Sequence, residues 1–271
     1  MRPFEPGLCS VTFRSLRPDA VIDLAASNGM SAIEWGADVH VPPGDLANAR
    51  AVNTRTTDAG LRISSYGSYI FAPDFTMQEI NAVLDTTEVL GTTHIRIWPG
   101  SRKRPSVDYT AEERRMATDA LAGIAEKAED RGMTIGLEYH PNSLTDNLNS
   151  SLQLAKDLPF ANLFFYWQPA PGLPLESALA EIQAIGSRIC HLHVFAWLVD
   201  SSRLPFAERT DYWRTCLAAL PQSDWKGTNY AMLEFVRNDD AAQFAQDAQA
   251  LRRILTPSSD TLVSGGSRSD T

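Results

Sequence analysis

Apolar and polar residues alternate along this chain in blocks. Short, nearly continuous apolar runs are separated by longer stretches in which apolar residues recur at helical spacing. Runs of the first kind are typical of strands buried on both faces, and the longer stretches are typical of amphipathic helices. The runs predict strands at 8–13, 32–36, 61–66, 93–98, 133–139, 162–167, 189–194 and 229–234. The longer stretches predict helices near 17–29, 44–59, 76–90, 109–131, 147–157, 174–186, 206–219 and 239–254.

Start and stop signals support these helices. Thr110-Ala-Glu-Glu113 has the sequence of a capping box, and Pro18-Asp19 and Pro43-Gly-Asp45 resemble first helical turns. Glycines that can serve as helix C-caps fall shortly before the next strand at Gly29, Gly60, Gly91, Gly132 and Gly186. The signals therefore agree with the periodicity about where helices begin and end.

Eight alternating strand and helix units in a chain of 271 residues predict a single α/β domain. The expected architecture is one (β/α)8 TIM barrel that spans residues 1–255. The main alternative is an open doubly wound sheet, but no GxGxxG follows the first strand. Residues 256–271 are polar and rich in Gly and Ser, and we expect them to form a disordered tail.

The charge and cysteine content narrow the class of protein. With 24 Lys and Arg against 33 Asp and Glu, the formal net charge is −9. A surface that binds nucleic acid usually carries a basic patch, so we expect no nucleic-acid partner. Cys9, Cys190 and Cys216 are widely spaced and indicate neither a zinc knuckle nor a disulfide framework. Without an apolar leader or a membrane-length run, we expect a cytoplasmic protein with no membrane partner, for which a homo-oligomer is one possible state.

Three predicted strands end in a carboxylate or an imidazole. They are Thr134-Ile-Gly-Leu-Glu138, Ile189-Cys-His-Leu-His193 and Asn229-Tyr-Ala-Met-Leu-Glu234. In a barrel these ends meet at the C-terminal mouth, where the active sites of this fold lie. Two carboxylates and an imidazole there can hold one divalent ion such as Mn²⁺, Mg²⁺, Co²⁺ or Zn²⁺, and they can also move protons.

Further polar and aromatic residues follow the predicted strands and could contact a substrate. Imidazoles can orient hydroxyl groups, and tryptophans often stack on the apolar C–H faces of sugars. The predicted substrate-binding residues are His40, His140, Trp98, Trp167 and Tyr66.

Each of these assignments has a structural alternative. Glu138 and Glu234 could form buried ion pairs with Arg96 or Arg14, because a buried carboxylate must be paired or coordinated. His193 could be a core histidine whose hydrogen bonds are satisfied within the protein.

Taken in order on consecutive strands, these segments resemble the xylose isomerase-like TIM barrels. This sugar isomerase and epimerase superfamily also includes AP endonuclease family 2. The resemblance covers roughly residues 7–255. Its carriers are Gly7-Leu-Cys-Ser-Val-Thr-Phe13, Ala32-Ile-Glu-Trp-Gly-Ala-Asp38-Val-His40-Val-Pro-Pro-Gly-Asp45, Gly136-Leu-Glu138-Tyr-His140, His191-Leu-His193-Val-Phe and Met232-Leu-Glu234.

The resemblance implies a single divalent metal ion held by residues from strands 5, 6, 7 and 8. The matching positions in this chain are Glu138, Gln168, His193 and Glu234. The family usually has an aspartate where this chain has Gln168, so the site loses one negative charge. A glutamine carbonyl can coordinate a hard cation, but it is neutral. We therefore expect weaker metal binding, or a metal that is a stronger Lewis acid.

The resemblance also implies a metal-dependent isomerase or epimerase that acts on a sugar, keto-sugar or polyol. Glu138 and Glu234 would transfer the proton through an enediolate, each serving as ligand and base in turn. One alternative is a metal-dependent lyase or dehydratase of inosose type, which forms the same enolate and then expels a hydroxyl group. Another is a non-catalytic sugar-binding or partner subunit with a degenerate metal site, for which Gln168 is the sign. The acidic charge disfavours an AP-endonuclease-like phosphodiesterase.

Overall fold

A computed structural model describes residues 2–256. Within this range eight parallel strands pair in sequential order and close into a barrel, which confirms the predicted single (β/α)8 fold. The strands are β1 (Glu5–Cys9), β2 (Ala32–Gly36), β3 (Arg62–Ala72), β4 (His94–Pro99), β5 (Thr134–Glu138), β6 (Leu163–Trp167), β7 (Ile189–Val194) and β8 (Tyr230–Leu233). The α-helices are α1 (Pro18–Ser27), α2 (Leu46–Asp58), α3 (Met77–Leu90), α4 (Ala111–Glu129), α5 (Leu148–Asp157), α6 (Leu175–Ile185), α7 (Thr210–Ala219) and α8 (Ala241–Leu255). The predicted tail lies, apart from Thr256, outside the described residues.

The strands are apolar on both faces because both faces are covered. In β6 all five residues are buried, as expected for a strand packed between the barrel interior and the outer helices. The barrel closes where β1 pairs with both β2 and β8, so that Leu8 lies opposite Ile33 on one side and Leu233 on the other. The helices that cover this barrel between residues 2 and 256 include none long and apolar enough to cross a membrane.

The first strand is shorter than predicted. It ends at Cys9, and Ser10–Phe13 form a 3-10 helix where the apolar pattern predicts further strand. Val11 and Phe13 are buried by packing and not by strand pairing, which apolar character alone cannot distinguish. This turn carries the chain to Arg14 at the C-terminal mouth of the barrel.

The third strand is longer than predicted and irregular. It continues past residue 66 to Ala72, and its pairing with β4 shifts register between Gly67 and Phe71. Within the shifted segment Tyr69 adopts a left-handed φ of 57°, which is uncommon for a residue other than glycine. Tyr69, three residues after Tyr66, is the tyrosine of this strand that reaches the C-terminal mouth.

The helix signals in the sequence correspond to real caps, with one exception. The Thr110 side chain accepts a hydrogen bond from the Glu113 amide, and the Glu113 side chain accepts one from the Thr110 amide. Four of the five predicted C-cap glycines have positive φ: Gly29, Gly60, Gly91 and Gly132. Gly186 instead has φ −58°, and a Cβ there would lie 2.4 Å from Pro221 Cδ. Glycine at this position therefore permits a close approach and not a left-handed turn.

Candidate active site

Five charged or ionisable side chains converge at the C-terminal end of the barrel. Glu34 comes from β2, Arg96 from β4, Glu138 from β5 and His193 from β7, and Glu234 directly follows β8. Each is 6% exposed or less. We call these five residues the central cluster.

Arg96 holds two of the carboxylates. Its Nε lies 2.9 Å from Glu34 Oε1, and its Nη1 donates to Glu138 Oε2. A Cβ on Gly67 would lie 2.6 Å from Arg96 Nη2, so the glycine leaves room for the guanidinium. The buried ion pair with Arg96 that the sequence offers as an alternative is thus present for Glu138. Arg14 pairs instead with Asp38.

Glu138, His193 and Glu234 meet as the strand ends predict. Their candidate ligand atoms all lie within 4.8 Å of one another. His193 Nδ1 is 3.6 Å from Glu138 Oε1 and 3.5 Å from Glu234 Oε2. The three side chains are close enough to share one ion, and their role as metal ligands remains a prediction.

Gln168, just beyond β6, adds an amide to this group. Its Nε2 donates to Glu138 Oε1 at 3.2 Å and to the Tyr139 carbonyl at 2.6 Å. Its Oε1 is buried without a hydrogen-bond partner among the described residues, and so are both ring nitrogens of His193. Buried polar atoms without partners are costly, and amide oxygens and imidazole nitrogens are common metal ligands. Gln168 Oε1 and one ring nitrogen of His193 therefore fit a divalent cation.

The net charge of the central cluster also favours a divalent cation. Three carboxylates stand against one guanidinium, which leaves two uncompensated negative charges when His193 is neutral. Buried charges are strongly unfavourable unless they are paired or coordinated. A divalent cation would make the cluster neutral.

The two glutamates of the predicted site titrate differently. Burial raises the pKa of Glu138, but the Arg96 guanidinium more than offsets it and holds that pKa at about 2. Burial raises the pKa of Glu234 to about 7, because His193 compensates it incompletely and Glu138 repels its charge. Burial lowers the pKa of His193, but the carboxylates of Glu234 and Glu34 help to bring it well above its usual value. In the metal-free protein, protons therefore occupy part of the site near neutral pH.

We expect metal affinity to rise with pH through about 7. Below the raised pKa values of Glu234 and His193, protons sit on ligand atoms and must leave when a cation binds. Each displaced proton makes affinity about tenfold stronger per pH unit. Calorimetric titration with Mn²⁺ between pH 6 and pH 8, in buffers of different ionisation enthalpy, measures both quantities. Affinity independent of pH, with no proton release, would contradict the assigned ligands.

Glu34 lies behind His193 on the side away from the other two carboxylates. His193 Nε2 is 3.5 Å from Glu34 Oε1, and Ser65 Oγ donates to Glu34 Oε2 at 2.9 Å. A carboxylate on one ring nitrogen favours a proton there and leaves the other nitrogen free for a metal. Glu34 was not among the predicted site residues. Its signal in the sequence is a carboxylate inside the apolar run Ala32-Ile-Glu-Trp-Gly36.

A cavity of about 280 Å³ opens above the central cluster. Its walls are mostly aromatic rings and prolines: Tyr69, Trp98, Phe195, Trp197, Phe235, Pro141, Pro169 and Pro171. Its polar groups are Arg14, Arg96, Glu138, His140, Gln168, Ser201 and Glu234. We call this space the mouth cavity, and its mixture of apolar walls and a few converging polar groups is typical of small-molecule sites.

Two of the predicted substrate-binding residues line the mouth cavity. Trp98 and His140 pack with ring centroids 3.9 Å apart and form part of one wall. His40 does not line it: its Nδ1 lies 3.0 Å from Ser10 Oγ and its Nε2 lies 3.1 Å from the Leu16 carbonyl. Both nitrogens of His40 are therefore occupied in holding the first βα loop.

Tyr66 and Trp167 also lie away from the mouth cavity. The Tyr66 hydroxyl donates to the Val41 carbonyl at 2.6 Å. Trp167 Nε1 donates to the Glu181 carboxylate at 2.9 Å, on the outer face of the barrel. Side chains alternate along a strand, so the residue before the inward-facing Gln168 must point outward. We assign packing roles to both aromatic residues.

Gln168 provides a mutational test of the site. Gln168→Asp should bind Mn²⁺ about tenfold more tightly, roughly 1.4 kcal/mol, because it adds a negative charge next to the cation. Gln168→Leu should bind more weakly, since it removes the carbonyl oxygen. Gln153→Asp, the same change on an exposed face of α5, is the matched control and should leave affinity unchanged. Equal affinities in all four proteins would show that Gln168 does not contact the metal.

Comparison with known proteins gives a family and several relatives. The model of the xylose isomerase-like TIM barrel family (AP endonuclease family 2) matches residues 22–254. A 3-dehydroshikimate dehydratase from Bacillus anthracis is 27% identical over 172 residues, and the match spans 58% of this chain and 58% of that relative.

Solved structures share the fold over nearly the whole chain. The probable 3-DHS dehydratase AsbF of Bacillus anthracis superposes with a TM-score of 0.74 and 19% identity, covering 92% of this chain and 98% of that one. The IolI protein with a bound zinc atom superposes with a TM-score of 0.71 and 15% identity, covering 93% and 98%. At these identities the superpositions show a common architecture.

Proposed function

We propose that this chain, which belongs to the xylose isomerase-like TIM barrel family, is a metal-dependent isomerase or epimerase of a sugar, keto-sugar or polyol. The observation that carries the proposal is the meeting of Glu138, His193 and Glu234 beneath the mouth cavity. The cofactor would be one divalent ion, Mn²⁺, Mg²⁺, Co²⁺ or Zn²⁺. Glu138, Gln168, His193 and Glu234 would hold it.

When bound, the cation would polarise the substrate carbonyl and acidify the neighbouring C–H bond. The protein's own groups then divide the work of proton transfer. Arg96 and Gln168 each hydrogen-bond one oxygen of Glu138, which keeps that carboxylate ionised and fixed. Glu234 lines the mouth cavity and accepts no hydrogen bond from the described residues, so its carboxylate is less restrained than that of Glu138.

Glu234 is therefore the stronger candidate for the group that removes the proton. Unequal environments of two neighbouring carboxylates commonly separate their roles in this way. Glu138 would return the proton on the same or the opposite face of the enediolate. The return step requires Glu138 to be protonated transiently, at a cost that Arg96 raises.

The walls of the mouth cavity would orient the substrate. Trp98 offers an apolar face to C–H bonds, and His140 stacks beside it with its ring exposed to the cavity. Aromatic and proline walls also reduce the access of water, which strengthens electrostatic interactions at the reacting carbon.

A dehydratase is the second candidate, because the 27% identical relative is named a 3-dehydroshikimate dehydratase. Such a reaction uses the same proton abstraction and then expels a hydroxyl group from the adjacent carbon. Mass spectrometry of the product separates the two reactions, since an isomer retains the mass of the substrate and a dehydrated product loses one water.

Incubation in D₂O tests the isomerase proposal directly. Metal-loaded protein is given a panel of keto-sugars, and deuterium at the carbon next to the carbonyl is measured by NMR. Proton transfer through a solvent-exchanging glutamate predicts deuterium in the product. A product without deuterium at full conversion contradicts this mechanism. Metal-loaded protein that binds a keto-sugar but converts none of the panel would instead favour the non-catalytic binding alternative.

A further inference from the structure

Arg14 lies at the edge of the mouth cavity and has no part in the proton transfer described above. It follows the 3-10 helix after β1, and its side chain is 40% exposed. Three neighbours fix the guanidinium. Its Nε donates to Asp38 Oδ2 at 2.9 Å, its Nη1 to the Val11 carbonyl at 3.2 Å and its Nη2 to the Tyr69 hydroxyl at 2.6 Å.

These bonds leave part of the guanidinium free. Arginine has five N–H bonds, of which three are used here. One N–H therefore remains on Nη1 and one on Nη2. Two N–H donors on the two terminal nitrogens match the two oxygens of a carboxylate, which is the commonest bidentate partner of arginine. The Asp38 bond to Nε orients the fork without occupying both terminal nitrogens.

The aromatic residues on either side of Arg14 are held in an unusual backbone conformation. Tyr69 has φ 57° and Phe235 has φ 50°, both left-handed, and both side chains line the mouth cavity. The Arg14 Cζ lies 5.3 Å from the centre of the Phe235 ring. Left-handed backbone in bulky residues costs free energy and is found mainly at functional sites. Here Phe235 places its ring beside the Arg14 guanidinium, and Tyr69 places its hydroxyl within hydrogen-bond distance of Nη2.

Phe235 also links Arg14 to the reacting centre, because it directly follows Glu234. Arg14, Glu234 and Glu138 all line the same cavity. A substrate that reacts at the glutamates can therefore reach the free N–H bonds of Arg14 with its opposite end.

We propose that Arg14 determines substrate class by binding a carboxylate at the end of the substrate opposite the reacting carbonyl. This inference rests on the proposed function and narrows it to acidic keto-sugars and related polyhydroxy keto acids. Arg14 would act as a specificity-determining residue and would take no part in proton transfer.

A carboxylate fits this position better than a phosphate group. With a divalent ion bound, the central cluster is neutral, and Arg14 is already paired with Asp38. A monoanion adds one charge to that balance, whereas a phosphate group adds nearly two. Two other cationic residues, Arg102 and Lys103, line a neighbouring cavity, which offers a phosphate group a competing position.

Three ligands that differ at one carbon test the proposal. D-fructose, D-fructuronate and D-fructose 6-phosphate share a keto-sugar chain and carry a hydroxymethyl, a carboxylate or a phosphate group at the far end. Calorimetry on the Mn²⁺-loaded protein gives the three dissociation constants. We expect fructuronate to bind about 10- to 100-fold more tightly than fructose, as for a charge-assisted bidentate hydrogen bond.

Variants then test whether Arg14 causes the preference for fructuronate over fructose. Arg14→Gln should reduce the ratio of fructose to fructuronate dissociation constants to about one. Arg14→Lys keeps the charge without the planar fork, so it should retain a smaller preference. Arg102→Gln is the matched control and should leave the ratio unchanged. Thermal melts check folding, and if Arg14→Gln does not fold, Arg14→Lys carries the comparison.

The outcomes separate this inference from the proposed function. Equal binding of fructose and fructuronate, or a preference that survives Arg14→Gln, overturns the role of Arg14 and leaves the sugar isomerase proposal standing. A preference for the phosphate that Arg102→Gln removes also overturns it and assigns the anion to the neighbouring cavity. Failure of all three ligands to bind the metal-loaded protein contradicts the proposed sugar substrate, and the role of Arg14 fails with it.

Discussion

Glu234→Gln should lower turnover by about 10²- to 10⁴-fold, which is the usual contribution of a positioned general base. The amide has nearly the same shape as the carboxylate, but it cannot accept the proton. Glu234 lines the mouth cavity and accepts no hydrogen bond from the described residues, so its carboxylate can take a proton from a substrate bound there. Steady-state kinetics with an accepted substrate measure the loss.

The interpretation of this variant depends on two controls. Metal content must be measured in parallel, because the change also removes a ligand charge. Glu181→Gln is matched in chemistry: burial raises the pKa of Glu181 as well, but its carboxylate bonds Trp167 outside the mouth cavity. It should leave turnover unchanged. Glu234→Gln protein that retains bound metal and more than a tenth of native turnover would remove Glu234 from the mechanism.

Arg96→Met should reduce the free energy of unfolding of the metal-free protein by about 3–5 kcal/mol. The substitution keeps much of the side-chain bulk but leaves Glu34 and Glu138 buried without their shared cation, and breaking a buried pair costs roughly this much. Denaturant unfolding in the presence of a chelator measures the change. Added Mn²⁺ should recover part of it, because a ligand that binds only the folded state stabilises that state.

An exposed ion pair provides the comparison for Arg96. On α4, Arg115 Nη1 lies 3.2 Å from Asp119 Oδ2, and the two side chains are 66% and 65% exposed. Arg115→Met should change the free energy of unfolding by less than about 1 kcal/mol, as exposed pairs generally do. Similar losses for Arg96→Met and Arg115→Met would show that the buried pair adds no special stability.

Much of the fold and part of the site follow from local sequence. A buried strand that stops at a polar residue is a short-range pattern, and the position of that residue at the mouth follows from the barrel alone. Glu138, His193 and Glu234 could therefore be placed together before their distances were known. The contact between Trp98 and His140 follows similarly, since both come at the ends of neighbouring strands.

The remainder depends on geometry that appears only when the barrel closes. The sequence offers Arg96 as an ion-pair partner for Glu138, but it does not show that the same guanidinium also holds Glu34 and so joins three strands. The sequence also points to Tyr66 as a substrate contact, whereas Tyr69 lines the mouth cavity. The reason lies in the pairing of β3 with its neighbours. The pairing of β3 with β2 shifts register just before Tyr66, and its pairing with β4 shifts just after it. Such shifts change which side chains face the barrel interior, and residue types do not predict them.

The position of Arg96 makes the two halves of the barrel electrostatically unequal. The half from β1 to β4 contains Glu34 and Arg96, which balance each other within it. The half from β5 to β8 contains Glu138 and Glu234, with His193 between them and no arginine of its own in the cluster. The second half can bury its acids only by taking up protons or a metal ion, or by docking against the guanidinium of the first. Arg96 therefore links the two half-barrels through its ion pairs with Glu34 and Glu138, in addition to holding Glu138 ionised.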